Sequence, residues 1–183
     1  MGRILYTLLA GLVGAGIVHI SILLLVPYYS SRDAWSQVSS LSADYAFSAV
    51  AGEPARKLLA DIDPLFSVAV CRFDLTKGHV HAVAKGTLPF WSVSVFNQRG
   101  ENIYSFNDRN MSGTGLDVTV ATPVQMVELR KELPEEFAQS IFIEADIAKG
   151  MIVLRLFRPD ALTQARVNEF LASASCEAAD DAQ

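Results

Sequence analysis

Histidine and cysteine, the side chains most used to hold transition metals, are scarce: three and two in 183 residues. One of the three histidines, His19, lies in a stretch with no aspartate, glutamate, lysine or arginine, Ile4 to Val26. No G-x-S-x-G, H-E-x-x-H or Walker sequence occurs, and Gly113-Thr114-Gly115 has neither a P-loop lysine nor a third Rossmann glycine. The common serine-hydrolase, zinc-peptidase and nucleotide signatures are therefore missing, and no cofactor is expected. Positive charge is short as well: 15 Lys and Arg against 20 Asp and Glu give a net charge of -5 and no basic stripe, which disfavours a nucleic-acid partner. No internal repeat is found, and only Ala172 to Gln183 is compositionally biased.

What is present begins with that uncharged stretch. At roughly 1.5 Å per residue, Ile4 to Val26 makes a helix about 34 Å long, enough to cross a hydrocarbon core of about 30 Å. Its 14 Leu, Ile and Val residues each favour insertion by roughly 0.3–0.6 kcal/mol, about 4–8 kcal/mol together. A cleaved signal peptide is the rival, but its apolar core runs only about 7–15 residues before a small-x-small site. Here Pro27, Tyr28 and Tyr29 follow instead, and the nearest such site, Ser40-Leu41-Ser42, lies well beyond the apolar end. An uncleaved single-pass anchor in the lipid bilayer is expected. The amino terminus and Arg3 on one side, against Arg32 beside Asp33 on the other, give a slight bias toward a periplasmic or otherwise extracytoplasmic C-terminal domain. Ala10, Gly11, Gly14 and Ala15 form overlapping small-xxx-small pairs that allow close approach of another helix.

The expected organisation is an anchor over 1–28, a helical neck over 29–62, a β-sandwich with a closing helix over 63–175 and a flexible tail over 176–183. The neck spaces Trp35, Val38, Leu41, Tyr45 and Phe47 like a helix and reads as a short helix and a loop, and Gly52-Glu53-Pro54 breaks any continuous helix before a further turn or two at Ala55 to Ala60. From Leu65 the pattern becomes strand-like. Leu65–Phe73 and His79–Ala84 read as a hairpin across Asp74–Gly78, and Phe90–Phe96 and Ile103–Phe106 as a second across Asn97–Glu101. Gly113–Val120 is a fifth strand. Thr122 and Pro123 cap a helix to about Glu132, Ile141–Glu144 and Met151–Phe157 form a last hairpin, and Asp160–Ser173 is a closing helix. The fold expected is mainly β with added helices: an antiparallel, jelly-roll-like sandwich preceded by one transmembrane helix. An open α+β sheet is the alternative.

Asp63-Pro64-Leu65-Phe66, Asp74-Leu75-Thr76-Lys77-Gly78, Phe90-Trp91-Ser92-Val93-Ser94-Val95-Phe96, Arg99-Gly100-Glu101-Asn102-Ile103-Tyr104-Ser105 and Asn107-Asp108-Arg109 run in a familiar order. Over about Ser31 to Pro159 the chain resembles the family called domain of unknown function 1254. That resemblance implies a jelly-roll-like fold, export or membrane attachment, and no settled activity. Many members carry a second domain, of unknown function 1214, downstream. This chain stops after one domain and adds an anchor in front, so the resemblance implies a separate envelope protein supplying a complementary jelly roll, or a homodimer.

Candidate site residues are few. His79 and His81, at i and i+2, share one face of a strand and could hold a metal if a carboxylate joined them. The bland reading is a half-exposed strand. Asn107, Asp108 and Arg109 could present a ligand-binding loop, or form an Asx-turn with a surface ion pair. Glu132, Glu135 and Glu136 read as a solvated acidic face. Cys71 and Cys176 could bridge in an oxidising compartment, closing a loop of about a hundred residues worth roughly 4–5 kcal/mol at most. The expected function is a binding or interaction module in the cell envelope. The competing class is a metal-assisted enzyme at the His79/His81 face.

Overall fold

The computed structural model describes residues 2–50, 63–111, 113–131 and 133–179. Helix α1 runs without interruption over Gly2–Leu41, and its part Gly2–Val26 is long and apolar enough to cross a membrane. The helix does not end near residue 28. It continues through Pro27, whose missing N–H removes one rung, at the Leu23 carbonyl. At about 1.5 Å per residue the portion after Val26 adds roughly 22 Å.

Among the described residues, nine strands form two sheets with helices on their margins. The five-stranded sheet has the order β1 (Ser48–Ala49), β2 (Phe66–Asp74), β8 (Lys149–Phe157), β4 (Trp91–Asn97), β5 (Asn102–Asn107). The four-stranded sheet has the order β7 (Ile141–Glu144), β6 (Leu116–Ala121), β3 (His79–Ala84), β9 (Ser175–Ala179). The core between them follows from period-2 alternation. Ala69, Cys71 and Phe73 of β2, Val93 and Val95 of β4, and Ile152, Leu154 and Leu156 of β8 meet Val80, Ala82 and Ala84 of β3 and Val118 and Val120 of β6. Helix α3 (Ala161–Ala172), N-capped by Asp160 accepting from the Thr163 amide, adds Val167 and Phe170 to the same core. Helix α2 (Pro123–Lys131) starts at Thr122, whose hydroxyl accepts from the Gln125 amide while Gln125 Oε1 accepts from the Thr122 amide. It buries Met126 and Leu129 with Ala121 and Phe137 in a second, smaller cluster.

Five expectations are corrected. β2 and β3 are not a hairpin: β2 pairs with β8 and β1, β3 with β6 and β9. The 3-10 turn Leu75–Lys77 between them inserts Leu75, 2% exposed, into the core and so turns the chain a corner between sheets. Nor are β7 and β8 a hairpin, because Ile141–Glu144 lies parallel to β6 while β8 is shared between β2 and β4. The second sheet is thus mixed rather than antiparallel, since a strand returning by way of a helix arrives pointing the same way. The neck is not wholly helical: Ser48–Ala49 joins β2, and the expected turns at 55–60 lie outside the described residues. The tail does not begin at 176, because Ser175–Ala179 pairs with β3 across five residues, anchored by Cys176. The β4–β5 hairpin and both capped helices stand as expected.

Candidate functional site

The alternation that sends Val80 and Ala82 inward turns His79 and His81 to the outer face of the four-stranded sheet, beneath the segment that follows α2. There Phe137 lies edge-on to both rings, at centroid distances of 5.6 Å for His79 and 4.7 Å for His81. His79 is 5% exposed. His81 Nε2 meets Asp117 Oδ1 at 2.9 Å. Directly across from His81 stand Thr119 on β6 and the exposed Glu177 on β9. Thr119, fully buried, shares a hydrogen bond of 2.9 Å with the Ser140 hydroxyl.

This face contains a histidine oriented by a carboxylate, which is two-thirds of an acid–base triad. The third part is missing from the hydrogen bonds of the described residues: Thr119 and Ser140 bond to one another, and Phe137 fills the space against the imidazole. Among the described residues no group of three His, Cys, Asp or Glu side chains is arranged to hold a metal ion. His79 and His81 therefore share a face as expected, but the carboxylate that joins them pairs with one ring in a packed layer.

The loop at Asn107, Asp108 and Arg109 is a structural cap. Asn107 Oδ1 accepts from the Arg109 amide at 3.0 Å, and Asn110 Oδ1 accepts from the Asn107 amide at 3.1 Å, closing a capping box on the 3-10 turn Asp108–Asn110. Cys71 and Cys176 stand on β2 and β9 with their sulfurs at bonding distance, 1.95 Å, and Cα atoms 6.5 Å apart. They staple one sheet to the other.

A further cluster joins α1 to the domain. After Leu41 the chain forms a strap along β2. The Tyr45 amide donates to the Arg72 carbonyl at 2.9 Å and the Val50 amide to the Val68 carbonyl at 2.8 Å. Asp44 pairs with Arg72 Nη2 at 2.8 Å. The Tyr45 hydroxyl donates to the Asp74 carbonyl at 2.8 Å and accepts from the Asp74 amide at 3.2 Å, and burial pushes its phenol pKa up. Tyr45 adopts φ 56°, a left-handed conformation that a bulky residue holds only when its surroundings fix it. The Asp74 carboxylate accepts from the Thr76 hydroxyl at 2.5 Å and the Thr76 amide at 3.0 Å, and lies 3.4 Å from Lys149 Nζ. The Thr76 hydroxyl first, then the amide and Lys149, hold it below the ordinary aspartate range.

Sequence reading missed Asp117, Phe137 and the strap. Asp117 was visible as the one charge inside Leu116–Ala121, at the phase opposite Leu116, Val118 and Val120. Nothing local marks Tyr45 as the partner of a residue 29 positions away.

No family model and no curated protein matches the chain. Among solved structures it is similar to the VPA0106 protein of Vibrio parahaemolyticus, with a TM-score of 0.59 at 12% identity, covering 82% of this chain and 35% of that one. An uncharacterised protein of Burkholderia cenocepacia aligns with a TM-score of 0.48 at 15% identity, covering 74% of this chain and 35% of the other. The likeness to the Vibrio protein is one of fold. This chain spans about a third of the length of either protein.

Proposed function

We propose that this chain is a single-pass membrane protein whose β domain is a binding or interaction module on the extracytoplasmic side of the cell envelope. The observation that carries the reading is the strap: the apolar helix does not end in a free linker but is knitted to β2 by Tyr45, Asp44 and Val50. A domain held in this way is displayed at a set distance from the bilayer. The Cys71–Cys176 pair supports the extracytoplasmic side, since structural disulfides persist where thiols are not kept reduced. The polar clusters support a binding role over catalysis, because each is engaged in capping, strapping or packing.

We further read the two-sheet domain as jelly-roll-like and as the counterpart of domain of unknown function 1254. The longer Vibrio protein that shares the fold over 35% of its length supports a design in which such a domain works beside more protein. Here a separate envelope protein or a second copy supplies it. Crosslinking in native membranes followed by mass spectrometry tests the reading. Capture of a defined partner or of a homodimer is expected, and a chain that sediments as a monomer in mild detergent and captures nothing overturns it. An alkaline phosphatase fused after Gln183 is expected to be active, and a silent fusion beside a working cytoplasmic reporter reverses the orientation.

A further inference from the structure

β2 pairs with β8 along its whole length, Phe66–Asp74, without a shift of register. Its other edge belongs to the strap. The Val50 amide donates to the Val68 carbonyl at 2.8 Å and the Tyr45 amide to the Arg72 carbonyl at 2.9 Å. N–H and C=O of one strand residue point the same way and alternate along a strand, so Val68, Val70, Arg72 and Asp74 turn their backbone groups to this side. Ser48 stands opposite Val70. At Asp74 a side chain takes the place of backbone: the Tyr45 hydroxyl donates to the carbonyl and accepts from the amide, as a paired strand residue would.

The strap thus treats β2 as an added strand does, and its side chains show what this edge selects. Alternation sends Ala69, Cys71 and Phe73 into the core and leaves Arg72 on the outer face, its side chain 16% exposed and its guanidinium 2.8 Å from the Asp44 carboxylate. Tyr45 and Phe47 pack against the main core, and the small Ser48 and Ala49 form the ladder. This hold is slight. β1 has only 2 residues, and Tyr45 reaches its bonds through φ 56°, a conformation that strains the closed state. Asp44 lies three positions beyond Leu41, where α1 ends, so movement of the anchor pulls on the strap first. The remaining edges are less suited to strand addition: β7 ends on exposed Glu144, β9 carries exposed Glu177, and β5 is irregular against β4.

We propose that the β2 edge is the recognition surface of the domain: it accepts an extended segment of a partner protein in which an acidic residue precedes an aromatic one, and the strap is a built-in occupant that blocks it until displaced. The inference rests on reading the domain as an interaction module and names its surface and the chemistry of its partner. Backbone bonds to Val68, Val70, Arg72 and Asp74 supply affinity and the pair at Arg72 supplies selectivity, the division found in strand addition. A mostly buried cation without a carboxylate is unfavourable, so the strap leaves Arg72 only as the partner's acid arrives. Being on the same chain, the strap competes at high effective concentration, and a free segment binds weakly while it is closed.

A fluorescein-labelled peptide with the sequence of residues 43–50, titrated against the full-length chain in mild detergent and followed by anisotropy, tests this. The Asp44→Ala/Tyr45→Ala chain, whose strap has lost its ion pair and its hydroxyl, is expected to bind the peptide at least tenfold more tightly than wild type. An Asp44→Lys peptide is expected to lose that binding and to regain it when Arg72→Glu is added to the opened chain. Native emission of Trp91, 3% exposed, reports that each chain is folded. Should the double variant unfold, Tyr45→Phe carries the same test with an expected gain of at least threefold. Equal affinity of the folded opened chain and wild type overturns the proposal, as does binding indifferent to the charges at 44 and 72. Co-sedimentation of the opened chain with wild type, in place of peptide capture, gives the edge to a second copy and also overturns it. Failure here beside a partner captured by crosslinking in membranes leaves the interaction reading standing and moves the contact to another surface.

Discussion

Reduction of the Cys71–Cys176 bridge should remove a large part of the stability of the β domain. The two residues are 105 positions apart, and the chain-entropy model assigns a loop of that length about 4.8 kcal/mol. Measured losses on removing native bridges fall at about 2–5 kcal/mol, against a total of roughly 5–15 kcal/mol for a domain. The position strengthens the case. Cys176 is on an outermost strand that pairs with β3 alone, and Cys71 is on the strand that carries the strap. Without the bridge, β9 keeps five residue pairs and one edge, so it should open first. The assay is urea unfolding of the full chain in mild detergent, followed by the fluorescence of buried Trp91, for wild type with and without reductant and for the Cys71→Ala/Cys176→Ala pair. Both perturbed samples should lose several kcal/mol, equivalent to a fall in Tm on the order of 15 °C. Amide exchange at Ser175–Ala179 should accelerate before the rest of the sheet. A loss below about 1 kcal/mol, with β9 exchange unchanged, would refute the argument that the bridge is what holds the last strand.

Three further perturbations test other parts of the fold. Gly150→Ala places a Cβ 2.5 Å from Phe73 Cζ and 2.7 Å from the Phe96 carbonyl oxygen, so a loss of about 1–3 kcal/mol in the same unfolding assay is expected, and a neutral result would show that β8 can shift. Because the folded state depresses the Asp74 pKa, its contribution is present above the unfolded aspartate value of about 3.9 and is lost as pH falls through the folded one. Asp74→Asn should thus be less stable than wild type near pH 6, with the gap narrowing below about pH 4; a gap independent of pH would be contrary. Tyr45→Phe removes a hydroxyl that both donates to and accepts from the Asp74 backbone, and should cost about 1–2 kcal/mol and speed exchange of the Tyr45 and Val50 amides. Unchanged protection there would mean that the strap is held by other contacts.

How much of this was legible in the chain depended on whether the signal was local. The apolar run, the Thr122-Pro123 and Asp160 caps and the β4–β5 turn are short-range features, and they appear where the residues indicate. The β2–β3 link misled because a strand, a polar turn and a strand read alike whether the turn closes a hairpin or crosses between sheets. The discriminating residue is Leu75, an apolar side chain inside the turn Asp74–Gly78, which a two-stranded hairpin would leave in water and a corner buries at 2% exposure. β7 was read as a strand but given the wrong partner for a related reason: four residues specify a strand but not its neighbour, and the parallel register with Val118–Ala121 is set by where α2 delivers the chain. The biased composition of 172–183 concealed β9, since a strand of small residues is stabilised by its partner and a disulfide rather than by its own propensity. Among the site residues, the shared face of His79 and His81 was readable from alternation. Asp117, the partner of His81, is 36 residues away from it, a separation no local pattern encodes.

The strand order places these features at opposite ends of one sheet. β2 receives the strap on one edge and β8 on the other, and through Cys71 it is bonded to the second sheet. Any displacement of α1 relative to the domain is therefore delivered first to β2. β5, the far edge, whose pairing with β4 shifts register between Val95 and Phe96, lies three strand spacings away, about 14 Å.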